Sequence, residues 1–360
     1  MTQALLWTGF VVFVLGMLFV DLFVVSRGKK GEQLVIPPKK ALGITAIFVS
    51  LAVMFGAVVY VVYDNQWMGE GALTFAGKPM TGGAATAEYF SVWMLEYAMS
   101  VDNLFVFTLV FSFFKVEAKY QHRVLFWGIL GALILRGLMI GLGAALVAAF
   151  APILILFGLV LVWTAFKMLK SDDEKFDPSK SLAIRLVKKI FPVTEKIECQ
   201  SFFVLTPLGP VLADGTRSVV RAATPLFLVL CVVEATDLLF AVDSIPAAFG
   251  QSKQPFIIFT ANVFAILGLR SLYFAIAGLI DMFRYLKPAL AGILLFIGVK
   301  MIVTPELAFI PTGTDAAGNP THWMGFHIHT LVSLGVIVTL LGSGVAASLL
   351  FKDTAKKGHG

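Results

Sequence analysis

The sequence predicts an all-α membrane protein, a polytopic helical bundle of about nine spans that contains two inverted three-helix repeats. Three observations predict it. Hydrophobic residues make up 58% of the 360-residue chain and charged residues 14%, more apolar surface than one soluble core can bury. Nine apolar stretches are long enough, or nearly so, for a hydrocarbon layer of roughly 30 Å, which takes about 20 helical residues. Two segments repeat the same order of ionisable residues.

In chain order the spans fall near 5–25, 41–62, 86–114, 122–149, 151–169, 224–249, 255–279, 287–303 and 325–351. The third, fourth and last are long enough to tilt, and the eighth is short enough to be an incomplete span. The first lacks a basic start and a small-residue cleavage site, so a retained helix is expected rather than a removed signal. The chain thus divides into two amino-terminal spans (1–63), a first repeat (86–169), a loop (170–223), a second repeat (224–303) and a carboxy-terminal span (322–351).

Basic residues alternate from loop to loop. Segments 26–40, 115–123, 171–223, 280–287 and 352–360 hold 5, 3, 8, 2 and 3 of them, while the segments between hold only Lys78 and Lys253. Because Lys and Arg are retained on the cytoplasmic side, the amino terminus is expected outside and the carboxyl terminus inside. The net charge of +6 is then a topology signal, and no nucleic-acid partner follows from it. Cys199 falls in a loop and Cys231 within a span, so no disulfide between them is expected.

The first repeat contains Glu96-Tyr-Ala-Met-Ser-Val-Asp102-Asn103, then Arg136, then Lys167; the second contains Asp237-Leu-Leu-Phe-Ala-Val-Asp243-Ser244, then Arg270, then Lys300. The Arg-to-Lys separations are 31 and 30 residues. Each unit has three spans, an odd number, so the second enters the membrane from the opposite face. Inverted repeats are the recurring plan of secondary transporters, which bind substrate near the midplane between the halves.

Glu96, Asp102, Glu234, Asp237 and Asp243 all lie inside spans. Each charge costs about 2.5–3.5 kcal/mol at a helix centre, so the group needs a compensating partner. A divalent cation would supply it, with protons replacing the cation when it leaves. Asn103, Ser244 and Asn262 add neutral oxygens. Pairing with Arg136 and Arg270 is the alternative use of the acids. At least four acids face these two arginines, which therefore read as charge-compensating groups for the metal-free state.

Six residues turn a straight helix by about 240°, so Glu96 and Asp102 do not share a face. Local unwinding is therefore expected around 99–103 and 240–246, with Pro246 contributing to the second break. Lys167 and Lys300, near span ends, are expected to snorkel to the headgroups.

An all-oxygen set suits Mg, Ca or Mn rather than zinc or copper, and the composition alone does not rank the three. Met99 and Met94 lie near Glu96; a thioether ligand would tilt preference toward manganese, whereas core packing is the ordinary use of Met in a span. His322, His327 and His329, at the start of the last span, read as interfacial residues or as a place that receives a metal.

These same strings carry a resemblance. Glu96 to Asn103, Glu234 to Pro246 and Asn262 to Arg270 resemble the hallmark motifs of the TerC family, including its Alx branch, over about 86–303. The resemblance implies a bacterial inner-membrane protein, tied to tellurium resistance and redox modulation and understood as an exporter of manganese(II). It also implies that Glu96, Asp102, Asp237 and Asp243 are the essential acids. The loop 171–200 and the insert 310–322 match nothing in the family pattern.

The resulting expectation is a transporter, not an enzyme, with no permanently bound cofactor. Mn(II) is the transported ion, held by Glu96, Asp102, Asp237 and Asp243, and proton exchange at the same acids is the simplest energy source. The chain shows no Walker loop, paired Cys motif, haem ligation pattern or dinucleotide fingerprint, which argues against ATP-driven or redox chemistry. The competing expectation is a membrane-assembly factor that docks through 171–223. The oligomeric state is left open.

Overall fold

A computed structural model describes residues 2–20, 37–69, 72, 79–150, 152–170, 181–194, 201–207, 218–276, 285–303, 307–314, 320–323 and 328–350. Five long helices come first: α1 (Thr2–Val20), α2 (Pro38–Asp64), α3 (Gly82–Phe113), α4 (Ala118–Ala149) and α5 (Ile153–Lys170). A short helix α6 (Leu182–Ile190) and a hairpin of β1 (Phe203–Thr206) and β2 (Val220–Ala223) follow. The second half contains α7 (Pro225–Phe249), α8 (Pro255–Leu267), α9 (Leu269–Ile276), α10 (Leu286–Val303), the antiparallel pair β3 (Leu307–Thr314) and β4 (Pro320–Trp323), and α11 (Thr330–Leu350).

Among the described residues nine helices are long and apolar enough to cross a membrane, with α8 and α9 counted as one span. Their starts are written locally. Pro38, Pro225 and Pro255 open α2, α7 and α8, where the missing N–H is not needed. Thr81 Oγ1 accepts the Ala84 N–H and caps α3. Lys115, at φ 51°, closes the turn between α3 and α4.

The core lies where the two halves meet. Within the protein 94% of the α8–α9 span is buried, against 17% for α1, α5 and α11, so α8 is a central post and the other three form the lipid-facing rim. Helix α3 packs on α8, α4 on α7, and α5 on α10, while α2 covers α3 and α9, and α11 covers α10 and α3. The α5–α10 contact brings two glycines face to face. A Cβ on Gly158 would stand 2.8 Å from Gly298 O, and one on Gly298 would stand 2.8 Å from Gly158 O. A Gly158→Val substitution is therefore expected to cost about 1–3 kcal/mol or more by forcing the helices apart. Gly141→Val on α4, where nothing lies within 4 Å, is the control. Thermal midpoints in detergent should fall for the first and hold for the second.

Two expectations are corrected here. Helices α3 and α7 run without unwinding through 99–103 and 240–246; Pro246 stands one turn from the end of α7, where losing one backbone bond does not break the helix. Asp237 and Asp243 need not share a face, because Asp237 pairs with Arg136 and Asp243 accepts from Thr164. The interruption falls instead at Gly268, between α8 and α9, two residues before Arg270. The second correction is Lys300, which is 4% exposed and donates to Ser333 Oγ at 3.0 Å, so it does not snorkel. Lys167 is exposed, with its ammonium 5.2 Å from the Trp163 ring centre.

The insert 310–322 carries most of β3 and the start of β4. Cys199, His327 and the His322 side chain lie outside the described residues, whereas His329 Nδ1 accepts the Leu331 N–H at the start of α11.

Candidate functional site

Arg136, in the middle of α4, places its guanidinium at the meeting point of four helices. Nη1 donates to Glu96 Oε2 of α3 at 2.7 Å and to Asn262 Oδ1 of α8 at 3.3 Å. Nε and Nη2 donate to Asp237 Oδ2 and Oδ1 of α7 at 3.2 and 2.9 Å, the two-pronged geometry that suits a carboxylate. Arg136, Glu96, Asp237 and Asn262 are all buried. Two carboxylates against one guanidinium leave negative charge. They also leave unused polar atoms: Glu96 Oε1, Asn262 Nδ2 and Ser244 Oγ are buried without a hydrogen-bond partner, which native interiors rarely leave so.

Asp243 belongs to a different setting. Its Oδ1 accepts from Thr164 Oγ1 of α5 at 2.8 Å, and it faces a cavity of about 200 Å³ lined with Met99, Asn103, Thr164, Lys167 and Met168 among others. At about 30 Å³ per water, the space holds several waters or a hydrated ion. Lys167 and Met168, near the end of α5, and Leu290, near the start of α10, are also in its wall. The cavity therefore reaches toward the end of the bundle that carries the basic segments. Asn103 is 2% exposed and its Nδ2 has no partner.

The remaining candidates are dispersed. Glu234, one turn before Asp237, lies against Gly131 of α4 so closely that a Cβ there would meet its carboxylate at 1.9 Å, and its Oε2 has no partner. Arg270 is buried and shares with Asp237 the wall of a void of about 20 Å³, room for one water. Asp102 lies on α3, with its side chain outside the described residues. Among the described residues no three of His, Cys, Asp and Glu come together as a metal cluster. Glu96 and Asp237 share Arg136, and Asp243 stands apart from them.

One acid escapes a reading of the sequence. Glu88, on α3, is 1% exposed and its Oε2 has no partner. It sits close to the start of the span, where a carboxylate can reach water without penalty. Helices from the far half of the chain cover it.

Buried ionic groups held among membrane-length helices define a polytopic α-helical membrane protein with a charged interior. The chain belongs to the integral membrane protein TerC family, which it matches over residues 81–356. It is 38% identical over 345 residues to a membrane protein of Myxococcus xanthus, covering 96% of this chain and 92% of that one. It is similar to the putative membrane-bound redox modulator Alx of Escherichia coli, 36% identical over 338 residues, 94% of this chain and 92% of the relative. The thylakoid membrane protein TERC of Arabidopsis thaliana is 40% identical over 273 residues, 76% of this chain and 64% of its own length. No solved structure matches the chain.

Proposed function

We propose that this protein exports a divalent metal ion, manganese(II) in first place, from the side of the membrane that carries its basic loops. The observation that carries the reading is the Asp243 cavity, whose lining brings together a carboxylate, an amide, a hydroxyl and two thioethers, with Lys167 also in its wall. Carboxylate and amide oxygens suit a hard cation. The sulfurs of Met99 and Met168 favour a somewhat softer one over Mg or Ca, and this points to manganese. The basic loops are taken as cytoplasmic, which puts the protein in the inner membrane with its amino terminus outside.

Arg136 fits a role as internal counter-charge. It occupies the space between Glu96 and Asp237; a cation moving inward from Asp243 would take over their charge, and Arg136 would have to turn aside. The packing supports inverted repeats as the moving parts. The α3–α8 contact has its counterpart in α4–α7, and α5 meets α10 across the axis between them. Proton exchange at the released acids would drive the cycle. Manganese uptake into everted vesicles is then expected to fall when the pH gradient is collapsed, and uptake indifferent to it removes the proton coupling.

The test of the function is the metal content of manganese-loaded cells, by elemental analysis, with and without the protein. Lower manganese in the expressing cells is the expected result. Equal manganese, with iron, calcium and magnesium also unchanged, removes the transporter reading and gives first place to a membrane-assembly role.

A further inference from the structure

At the end of the bundle opposite the basic loops, five elements converge on a second polar cluster, around Glu88. Its neighbours are Tyr63 from the end of α2, Ser252 and Lys253 from the turn between α7 and α8, and Lys300 from α10. Ser252 lies beside the carboxylate, and Lys300 is tied to Ser333 of α11. Glu88, Gln251 and Ser252 are at most 1% exposed. Four polar atoms in this group have no hydrogen-bond partner: Glu88 Oε2, Tyr63 Oη and both amide atoms of Gln251. Unmet carboxylate and amide oxygens, buried on α3 and on the turn whose Ser252 approaches it, are the chemistry of a site for a hard cation.

The cluster lies on α3 eight residues from Glu96, about 12 Å along the helix. Leu95, Leu161, Ala165, Ala247, Leu294 and Ile297 pack into one dry layer, and Leu294 is also in the wall of the Asp243 cavity. We propose that Glu88, with Gln251 and Ser252, is a second station for the same divalent cation on the exit side of this layer. The Lys300 ammonium holds its place when the cation is absent. This rests on the transport reading above, and it adds an ordered release step: the cation leaves Glu96 and Asp237 for Glu88, takes over the carboxylate charge from Lys300, which stays on Ser333, and then departs.

The test uses the purified full-length protein with MnCl2, reading both binding stoichiometry by calorimetry and manganese transport in reconstituted vesicles. Glu88→Gln should bind manganese at the Asp243 cavity with wild-type affinity yet transport about tenfold more slowly, equivalent to ~1.4 kcal/mol in the barrier. Lys300→Met, with the placeholder gone, should show an additional manganese site that Lys300→Met/Glu88→Gln lacks. Glu88→Asp should retain part of the transport, which separates loss of the charge from loss of the fold. Wild-type transport in Glu88→Gln, or no additional site in Lys300→Met, overturns the second station and leaves the transport reading standing. A wild-type protein that neither binds nor moves manganese removes the transport reading itself.

A separate observation concerns α6. Ile184 and Val187 are buried, while Leu182, Leu186 and Ile190 are 77%, 60% and 61% exposed, an i, i+4, i+8 stripe with exposed Arg185, Lys188 and Lys189 beside it. Phe191 meets Phe227 edge-on and Phe203 meets it at a tilt, with ring centres 6.3 and 4.6 Å away, and Phe227 is in the first turn of α7. Helix α6 is thereby held at the level where α7 enters the membrane. We infer that it lies in the interface, its apolar stripe in the acyl boundary and its basic residues on anionic headgroups.

The check is a fluorescent label on Leu186→Cys or Lys188→Cys in a Cys199→Ser/Cys231→Ser background, in vesicles with or without phosphatidylglycerol. Position 186 should be quenched by doxyl lipids and 188 by aqueous iodide, with the lipid quenching weaker when the anionic lipid is left out. Equal iodide quenching at both positions, or lipid quenching indifferent to charge, overturns the inference. Shielding of 186 in native membranes that is lost in pure lipid assigns the stripe to a protein partner and overturns it equally.

Discussion

Replacing Arg136 with Gln is expected to destabilise the folded protein by about 3–5 kcal/mol, the range for removing one partner of a buried ion pair. Glu96 and Asp237 would be left facing each other with no cation between them, and Asn262 would lose its donor. Arg136→Lys should fall between the two, since an ammonium cannot make the two-pronged contact with Asp237. The triple variant Arg136→Gln/Glu96→Gln/Asp237→Asn removes the stranded charges together with their partner, and should recover most of the lost stability. Thermal midpoints of the solubilised protein, read by size-exclusion fluorescence, give this order. An unchanged midpoint for Arg136→Gln would mean that the two acids are neutral without it, and the ion pair would be discarded as a source of stability.

Asp243→Asn is expected to lower manganese transport by about 100-fold, equivalent to ~2.7 kcal/mol of lost cation binding, while leaving the thermal midpoint close to that of the wild type. Asp243 is the carboxylate facing the cavity, and its described hydrogen-bond partner is the Thr164 hydroxyl. The fold therefore does not depend on its charge as it does on that of Arg136. Thr164→Val removes only the hydroxyl that orients the carboxylate, a bond worth about 1 kcal/mol, or roughly fivefold. Rates of radioactive manganese uptake into everted vesicles, at matched protein levels, separate the three. Equal rates in Asp243→Asn and wild type would eliminate the cavity as the loading site.

Much of this was legible in the chain before any tertiary contact was known. Glu96, Asp237, Arg136 and Arg270 stand out because an ionisable residue in a long apolar run is costly and therefore rare. Their partners are less visible. Arg136 and Asp237 are 101 residues apart, and Thr164 and Asp243 are 79 apart, so nothing in the local pattern joins them. Thr164 reads as one hydroxyl among many, and its meaning comes from the helix that faces it. Lys300 misled, and Glu88 went unread, for a related reason. Near a span end the sequence reads as a route to water, and only the covering helices show that the route is closed.

The number and order of the spans, the basic asymmetry of the loops and the repeated acids follow from the sequence alone. Lipid requires each crossing to be a long apolar helix, and it leaves little room for a charge without a purpose. Tertiary structure decided which charges meet. The depth and rotation of each helix are set by close contacts between distant segments, as at Gly158 and Gly298. Those contacts place Arg136 between Glu96 and Asp237, turn Asp243 toward its own cavity, and bury Lys300 beside Glu88.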